Sequence, residues 1–358
     1  MASTHVAKPG PDLARQHKAR LAIHEHRDAL LKRAEKVMDW GGILQDKKDR
    51  AYVAAHGTLM ALLGMSAYVV VILLWFKVYH DSFSTTVIWL GFLLLASICM
   101  VVGSRAEILG RERPWLRWAG GVFLLSALVG TVVGFMLYFR SLAYYFKYES
   151  LRSYTNVGAS QNAEAFADAG MFLWTEDTRL DPMRSVGFQS RWTGSTYCAA
   201  PIVDGSMSMT DPIYFWAVGE GCCSARASFT CDDATTPTVR SALVMLEPDE
   251  VVRPFMKWAV RGAVYPKYEQ SVKLHQAEYN SVAPPKIKMV QWVKDPIAAK
   301  DAFYNDAAIQ CAWVSILYFF VLEALCCLIM AKFVIMPKRV ENAVRQVAGP
   351  LAQKPAPP

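Results

Sequence analysis

The sequence predicts an α-helical membrane protein, in which a bundle of four transmembrane helices carries an α+β domain between its third and fourth helices. Three observations predict this class. The chain is 53% hydrophobic, which is high for a soluble protein of 358 residues. Its apolar residues are concentrated in four runs of about 19 to 25 residues, each long enough to cross a hydrocarbon core as a helix. Four of the eight cysteines lie in the long polar segment between the last two runs.

The four apolar runs divide the chain into domains. Three of them, at 57–76, 86–104 and 116–139, place three transmembrane helices within 57–139, and the last run places the fourth helix within 307–332. Lipid offers the backbone no hydrogen-bonding partner, so a crossing segment must be a helix or part of a closed barrel. The alternative interpretation is four buried helices in the core of a large soluble protein.

The distribution of charge predicts the orientation. Residues 1–56 hold 11 Lys or Arg and 7 Asp or Glu, and basic residues also exceed acidic ones in 105–117 and in the tail 333–358. Residues 140–306 instead hold 17 basic and 19 acidic residues. Short flanking segments rich in Lys and Arg stay in the cytosol. We therefore expect cytosolic termini and an extracellular or luminal domain at 140–306, in the plasma membrane or an endomembrane.

The net charge of +7 belongs mainly to the predicted cytosolic face. It indicates contact with the anionic lipids of the inner leaflet, and no nucleic acid partner is predicted. Within the basic segment 1–56, residues 11–40 show the spacing of an amphipathic helix. This helix lies either on the inner leaflet or a partner, or as a solvated helix against the base of the bundle. The basic tail 333–358 is rich in proline.

The segment 140–306 predicts an α+β domain. Its first residues continue the third helix beyond the membrane. Short apolar runs separated by Gly, Pro and Asp then predict strands; they lie at 171–174, 196–203, 213–218, 227–231, 242–246 and 286–293. Two longer stretches, 249–262 and 266–280, predict helices.

The cysteines of this domain predict two disulfide bridges. The domain has an even number of cysteines and is expected to lie in an oxidising compartment. These cysteines are Cys198, Cys222, Cys223 and Cys231. A bond between the adjacent Cys222 and Cys223 would close a strained eight-membered ring. We therefore expect each of them to bond to Cys198 or Cys231, with the connectivity open. A vicinal disulfide and a metal or free-thiol site are the alternatives, although the close CxxC pair of a zinc site is missing and no metal site is predicted.

Glu323 is the one charged residue inside the fourth apolar run. A charge at mid-membrane costs roughly 2.5 to 3.5 kcal/mol, so we expect this side chain to face protein and to have a partner. Ser66, Ser97 and Ser126 are expected at a similar depth in the other three runs. Glu323 either handles protons or ions, or is a protonated structural residue bonded to a neighbouring helix.

Small residues and cysteines suggest two further features of the helices. Ser126, Gly130 and Gly134 are spaced four residues apart in the third run, a pattern that lets helices approach closely, either within the bundle or between copies. Cys326 and Cys327 lie near the predicted cytosolic end of the fourth run. They are candidates for lipidation, and inert packing is the alternative.

The layout resembles that of the tetraspanins. Those proteins have four spans, cytosolic ends, one small and one large outer loop, and paired cysteines in the large loop; here the loops are 77–85 and 140–306. The carboxylate of Glu323 in the last span and the cysteines near a cytosolic helix end are similar too. The GCC at 221–223 departs from the CCG of tetraspanins, and the N-terminal segment is longer.

A second resemblance is local. The stretches AEAFADAG, RSVGF, YCAAPI and FWAVGEGCC, all between residues 160 and 235, are similar to uncharacterised multi-span membrane proteins of dinoflagellates and related alveolate protists. This resemblance implies no particular activity.

No motif of a known enzyme class is present in the sequence. GxSxG, HExxH, a Walker loop and GxGxxG are all missing, and 140–306 contains a single histidine, His275. No catalytic residue and no cofactor are therefore predicted. We expect a non-catalytic membrane organiser or accessory subunit whose outer domain binds a partner, either another membrane protein or a second copy. The alternative is a transport or channel component with Glu323 near an ion or proton pathway.

Overall fold

The described residues form two compact units. The computed structural model describes residues 47–103, 114–191, 194–208, 210–225, 228–247, 251 and 264–335. The bundle unit contains the described residues up to Val70, those in Ile88–Val129 and those from Ile316 onwards. The sheet unit contains Val71–Val87 and the described residues of Gly130–Ser315.

Three predictions lie outside the described residues. They are the amphipathic helix at 11–40, with its contact to anionic lipid, the helix at 249–262 except for residue 251, and the tail beyond residue 335.

Four helices among the described residues are long and apolar enough to cross a membrane, which indicates a membrane protein. The helices are α1 Lys47–Leu73, α2 Phe83–Gly103, α3 Pro114–Leu137, α4 Ala143–Ser150, α5 Tyr265–Tyr279 and α6 Pro296–Ile329. One turn of π-helix, Tyr138–Leu142, joins α3 to α4, so the third span continues to Ser150. The spans built on α1, α3 and α6 have 32, 36 and 38 residues, which exceeds the ~20 that a bilayer requires.

Local chemistry explains where α5 and α6 begin and end. Pro296 starts α6, at a first-turn position where a missing N–H costs nothing. The carboxylate of Asp295 caps this start by accepting hydrogen bonds from the N–H groups of Ile297 and Ala298, each at 3.0 Å. Asn280 ends α5 in the left-handed conformation (φ 51°), which asparagine tolerates.

Small side chains bring the helices of the bundle unit together. A Cβ atom on Gly64 of α1 would lie 2.7 Å from the Ser126 hydroxyl of α3, so α1 and α3 are in close contact there. The Ser97 hydroxyl of α2 donates to the Gly120 carbonyl of α3 at 2.9 Å. The core of this unit is made by seven buried residues: Met60, Ala61, Ala119, Val122, Leu322, Cys326 and Met330.

The predicted small-residue stripe faces α1 in both units. In the sheet unit, a Cβ on Gly134 would overlap the ring of Trp75, which follows α1. In the bundle unit, Ser126 faces Gly64. Gly130, between them, is buried. Ser126 and Gly134 therefore both lie against the first span.

Aromatic residues crowd the part of the sheet unit where the spans enter it. The Trp75 ring stacks on Tyr79 at 4.4 Å, and Tyr79 meets Tyr138 edge-on at 4.7 Å. The Lys77 ammonium lies 5.4 Å from the centre of the Tyr304 ring. Such belts of Trp and Tyr are typical of the border between membrane and water.

The domain between α4 and α6 contains a mixed eight-stranded sheet. Its strands are β1 Arg152–Val157, β2 Ala169–Trp174, β3 Thr178–Leu180, β4 Val186–Gln189, β5 Thr196–Asp204, β6 Phe215–Glu220, β7 Ser241–Val244 and β8 Lys288–Trp292. The order is β1-β2-β7-β8-β6-β5-β3, and β4 also pairs with β5. The pairs β1–β2 and β6–β8 are parallel, and the others are antiparallel. The predicted α+β domain thus has its strands in one sheet, with α5 beside it.

Both faces of the central strands are buried, which explains their unbroken apolar sequences. On β5 and β6, Tyr197 and Trp216 point to the face covered by Tyr268 and Val272 of α5. Their neighbours point to the opposite face, where the core contains Phe172, Trp174, Cys198, Phe215, Phe229, Val290 and Trp292, among others.

Three strands were not expected, and one expected strand is wrong. The sequence analysis missed β1, β3 and β4. The stretch 227–231 was expected to be a strand, but its described residues, 228–231, form none. Ser228 has a positive φ of 67°, and Cys231 is held by a bridge, so this segment forms an irregular connection.

Candidate functional site

The four cysteines of the sheet domain form two adjacent bridges. Cys198 on β5 bonds to Cys223, and Cys222 bonds to Cys231, with Cα atoms 5.9 and 5.0 Å apart. The chain turns at Gly221 (φ 72°) directly after β6, so the two adjacent thiols leave the strand end in different directions. Each of Cys222 and Cys223 therefore bonds to one of the other two cysteines, as the sequence predicts.

Two glycines make room for the bridges. Gly187 on β4 and Gly219 on β6 are the cross-strand neighbours of Cys198. A Cβ atom on Gly187 would lie 2.9 Å from the Cys223 sulfur, and one on Gly219 would lie 2.9 Å from the Cys222 sulfur. The sulfur atoms of Cys198, Cys222 and Cys231 all lie within 4.8 Å of one another. The metal alternative would require these bridges to be reduced, since a thiolate is the form that binds metal.

A cavity of about 400 Å³ opens beside the Cys222–Cys231 bridge. Its wall is formed by α4, the end of β6, β8, the start of α5 and the start of α6. The described lining residues are Tyr144, Tyr148, Gly219, Glu220, Cys222, Thr230, Cys231, Asp232, Met245, Leu246, Val264, Tyr265, Tyr268, Gln291 and Phe303. The volume falls within the usual range for small-molecule sites.

The cavity combines aromatic rings with negative charge. Five of its lining side chains are aromatic, and two, Glu220 and Asp232, are carboxylates; no basic side chain lies in the described lining. Burial raises the pKa of the Tyr268 hydroxyl, and the carboxylates of Glu220 and Asp232, which line the same cavity, add to this increase.

The aromatic wall is held in place by the helices that leave the membrane. The Tyr148 hydroxyl donates to the Val244 carbonyl of β7 at 2.6 Å. The Phe303 ring of α6 stacks on Tyr144 at 5.6 Å and is tilted against Tyr148 at 5.9 Å. Lys300 and Glu149 form an ion pair between α6 and α4. These contacts connect the helices directly to the sheet.

Sequence reasoning did not identify this cavity. Two signals were present: the aromatic cluster AYYFKYES after the third apolar run, and the tyrosines 265 and 268, which fall on one helix face. The spacing of Glu220 and Asp232 in the sequence matches no known motif. They line the same cavity because the chain folds back between residues 221 and 231.

In the bundle unit, Glu323 is bonded to the first helix. The Thr58 hydroxyl of α1 donates to Oε1 of Glu323 at 2.8 Å, whereas the buried Oε2 atom has no hydrogen-bond partner among the described residues. Thr58 stands near the start of the first apolar run, and its polarity was the signal that sequence reasoning overlooked.

The three serines expected at a depth similar to that of Glu323 bond to other residues. Ser66 donates to Leu63 of its own helix, and Ser97 donates to Gly120. Ser126 donates to the Val122 carbonyl at 2.9 Å and accepts from the Tyr318 hydroxyl at 2.8 Å. The residue of α6 that bonds to Ser126 is thus Tyr318, which precedes Glu323 by more than one helical turn.

The adjacent cysteines of α6 differ in exposure. Cys326 is fully buried in the core of the bundle unit, and Cys327 is half-buried against Gly57, whose added Cβ would lie 2.8 Å from its sulfur. These positions favour packing over lipidation for Cys326.

His275 is a buried polar residue of the sheet domain. Its Nδ1 lies 2.8 Å from the Ser281 hydroxyl, and its ring packs edge-on against Trp216 at 4.8 Å. Its Nε2 has no hydrogen-bond partner among the described residues. Burial lowers the pKa of His275 to about 4, and the positive charge of Arg184 contributes to this decrease.

Comparisons of the chain with protein-family profiles, with curated proteins and with solved structures found no match. The tetraspanin resemblance and the local resemblance to alveolate membrane proteins therefore stay predictions.

Proposed function

We propose that the protein is a non-catalytic membrane organiser or accessory subunit, whose sheet domain lies on the extracellular or luminal side and binds a partner protein. The partner is another membrane protein or a second copy of the chain. The tetraspanin-like layout supports the same role.

The candidate partner surface around His275 carries this proposal, and we infer it from exposed apolar side chains next in sequence to His275 and to residues at its ring. Leu274, next to His275, is 43% exposed, and Val282, next to its partner Ser281, is 50% exposed. Met183, beside Arg184, is 69% exposed. Exposed apolar side chains favour contact with another protein where they lie together, and these three positions are the candidates for such a contact.

The attachment of the domain to the spans also supports the proposal. Leu151 alone separates α4 from β1, and three residues separate β8 from α6. The hydrogen bond from Tyr148 to Val244 also joins α4 to strand β7.

Photo-cross-linking in native membranes tests the proposal. A photoreactive residue at Met183 or Leu274 should capture the same protein, and Val282→Glu should abolish the capture without loss of expression. Glu176, whose side chain is 95% exposed on the same domain, provides the control position. Equal capture from Glu176, or no capture from either apolar position, would exclude this surface as the binding site.

A second candidate function rests on the unpartnered Oε2 of Glu323. A buried carboxylate oxygen without a hydrogen bond is costly in a membrane, which favours a transport or channel component with Glu323 near an ion or proton pathway. Reconstituted protein should then show an ion or proton flux that Glu323→Gln abolishes and Thr58→Val leaves measurable. If the flux is missing or unaffected by Glu323→Gln, the structural role of Glu323 stands.

A further inference from the structure

The aromatic cavity of the sheet unit has a chemical character that its lining defines. Its rings belong to Tyr144 and Tyr148 of α4, Tyr265 and Tyr268 of α5, and Phe303 of α6. Ring faces attract a cation through their electron density, and an alkylammonium group also gains from contact with their apolar surface. A neutral apolar ligand would use the rings but would leave the carboxylates without a partner.

The negative charge of the cavity has no counterion among the described lining residues. The carboxylates of Glu220 and Asp232 form no ion pair and no hydrogen bond with the described residues, although other carboxylates of the domain do. Since both line the cavity together with the five rings, they place two negative charges beside an aromatic wall. The described lining offers a divalent metal two carboxylates and no histidine, and its two cysteines are bonded to each other, so it favours an organic cation over a bare metal ion.

The depth of the cavity suits a group at the membrane surface. Tyr144 lies five residues beyond the third apolar run, which ends at Phe139, and Phe303 lies four residues before the fourth run begins at Ala307. At about 1.5 Å per helical residue, both rings stand roughly 6 to 8 Å beyond the hydrocarbon core, within the headgroup layer.

We propose that this cavity binds an organic ammonium group, held by the aromatic rings of α4, α5 and α6 and by the carboxylates of Glu220 and Asp232. The ammonium group comes either from the headgroup of a choline lipid or from a soluble amine. This site goes beyond the partner surface around His275 and does not depend on it.

Binding of choline and of tetramethylammonium to the full-length protein tests the site. In maltoside detergent, calorimetry at constant ionic strength should show saturable binding of both probes and none of potassium. The double variant Glu220→Gln/Asp232→Asn should bind roughly tenfold more weakly or worse, because it loses both charges. The matched control is Glu176→Gln/Asp177→Asn, which removes two adjacent carboxylates outside the cavity and should bind as the wild type does.

Two nanodisc preparations separate the sources of the ammonium group. If lipid headgroups occupy the cavity, free choline should bind more weakly in phosphatidylcholine nanodiscs than in phosphatidylglycerol nanodiscs. Equal binding in the two assigns the site to a soluble amine. Absence of choline binding in detergent and in phosphatidylglycerol nanodiscs, or equal binding by the cavity variant and the wild type, would overturn the proposal, while cross-linking from Met183 and Leu274 tests the proposed function separately.

Discussion

His275 lies on the side of α5 that packs against the sheet, and no part of it reaches solvent. The ring sits between Trp216 and Tyr279, with Ser281 as the partner of Nδ1. Apolar surroundings disfavour the charged imidazolium, and the positive Arg184 disfavours it further. The Arg184 backbone and Asp181 oppose this decrease only in part, so the folded protein holds His275 neutral at pH 7.

This neutral state predicts a loss of stability in weak acid. The unfolded chain protonates His275 near pH 6.5, whereas the folded protein protonates it only near pH 4. Between these values the unfolded state binds more protons, so the contribution is complete above pH 6.5 and decreases as the pH falls toward 4. It amounts to about 3 kcal/mol at most. Thermal unfolding from pH 7.5 to 4.5 should show a smaller decrease in Tm for His275→Gln than for the wild type. Identical pH dependence in the two would mean that His275 does not carry the effect.

Sequence could identify some functional residues but not their partners. The side-by-side thiols of Cys222 and Cys223 and the isolated charge of Glu323 stand out by their chemistry alone. Thr58 does not, because 265 residues separate it from Glu323 and only the packing of α6 on α1 brings them together. Glu220 and Asp232 are equally ordinary in sequence, and their closeness depends on the fold.

At the scale of the elements, contact between α1 and α3 depends on glycine. A methyl group on Gly134 would overlap the Trp75 ring, whereas one on Gly121 of the same helix would meet nothing within 4 Å. We expect Gly134→Ala to lower the free energy of unfolding by roughly 1 to 3 kcal/mol, as overpacking does. Gly121→Ala should be neutral or slightly stabilising, since alanine favours the helix. Unfolding of the two variants in detergent measures the difference. Equal stability would show that the helix contact does not require glycine at position 134.

The two bridges connect elements that are distant in sequence. The Cys198–Cys223 bridge spans 25 residues and the Cys222–Cys231 bridge spans 9. Each bridge lowers the conformational entropy of the unfolded chain, which stabilises the folded state by ~3 kcal/mol. Cys222→Ser/Cys231→Ser removes one bridge without leaving a free thiol, so we expect a loss of about that size in the free energy of unfolding. Cys99→Ser, at an exposed free cysteine, should have no effect. Peptide mapping without reduction should recover both bridges, and a peptide with Cys222 bonded to Cys223 would contradict this pairing.

The sequence predicted the central strands better than the edges. Strands β5, β6, β7 and β8 are buried on both faces and read as continuous apolar runs, which is a strong signal. Strand β1 lies at an edge of the sheet and is mostly exposed, so its residues are largely polar. Strands β3 and β4 have only three and four residues, too few for a clear pattern. The irregular segment 228–231 resembled a strand because it contains the apolar residues Phe229 and Cys231. Both residues are buried in the core beside a disulfide bridge, and this burial does not require a strand.

At the scale of the whole chain, the spans do not end where their apolar runs end. The third span continues to Ser150, and the fourth begins at Pro296, eleven residues before its apolar run. Hydropathy locates the part of a helix that lies in hydrocarbon, but caps and packing set its ends. Here Asp295 and the contact of Tyr148 with β7 extend these helices into the sheet unit.

The orientation of the chain is the last prediction. Basic residues are in excess in 1–56, 105–117 and 333–358, which favours the cytosol for all three segments. Two disulfides in the sheet domain fit an oxidising compartment on the other side. In sealed right-side-out vesicles, a membrane-impermeant maleimide should therefore label Met183→Cys, whose native side chain is 69% exposed. It should label Ser3→Cys only after the vesicles are permeabilised, with the unsubstituted chain as the blank. Labelling of Ser3→Cys in sealed vesicles, with Met183→Cys protected, would reverse the orientation and place the bridged domain in the cytosol.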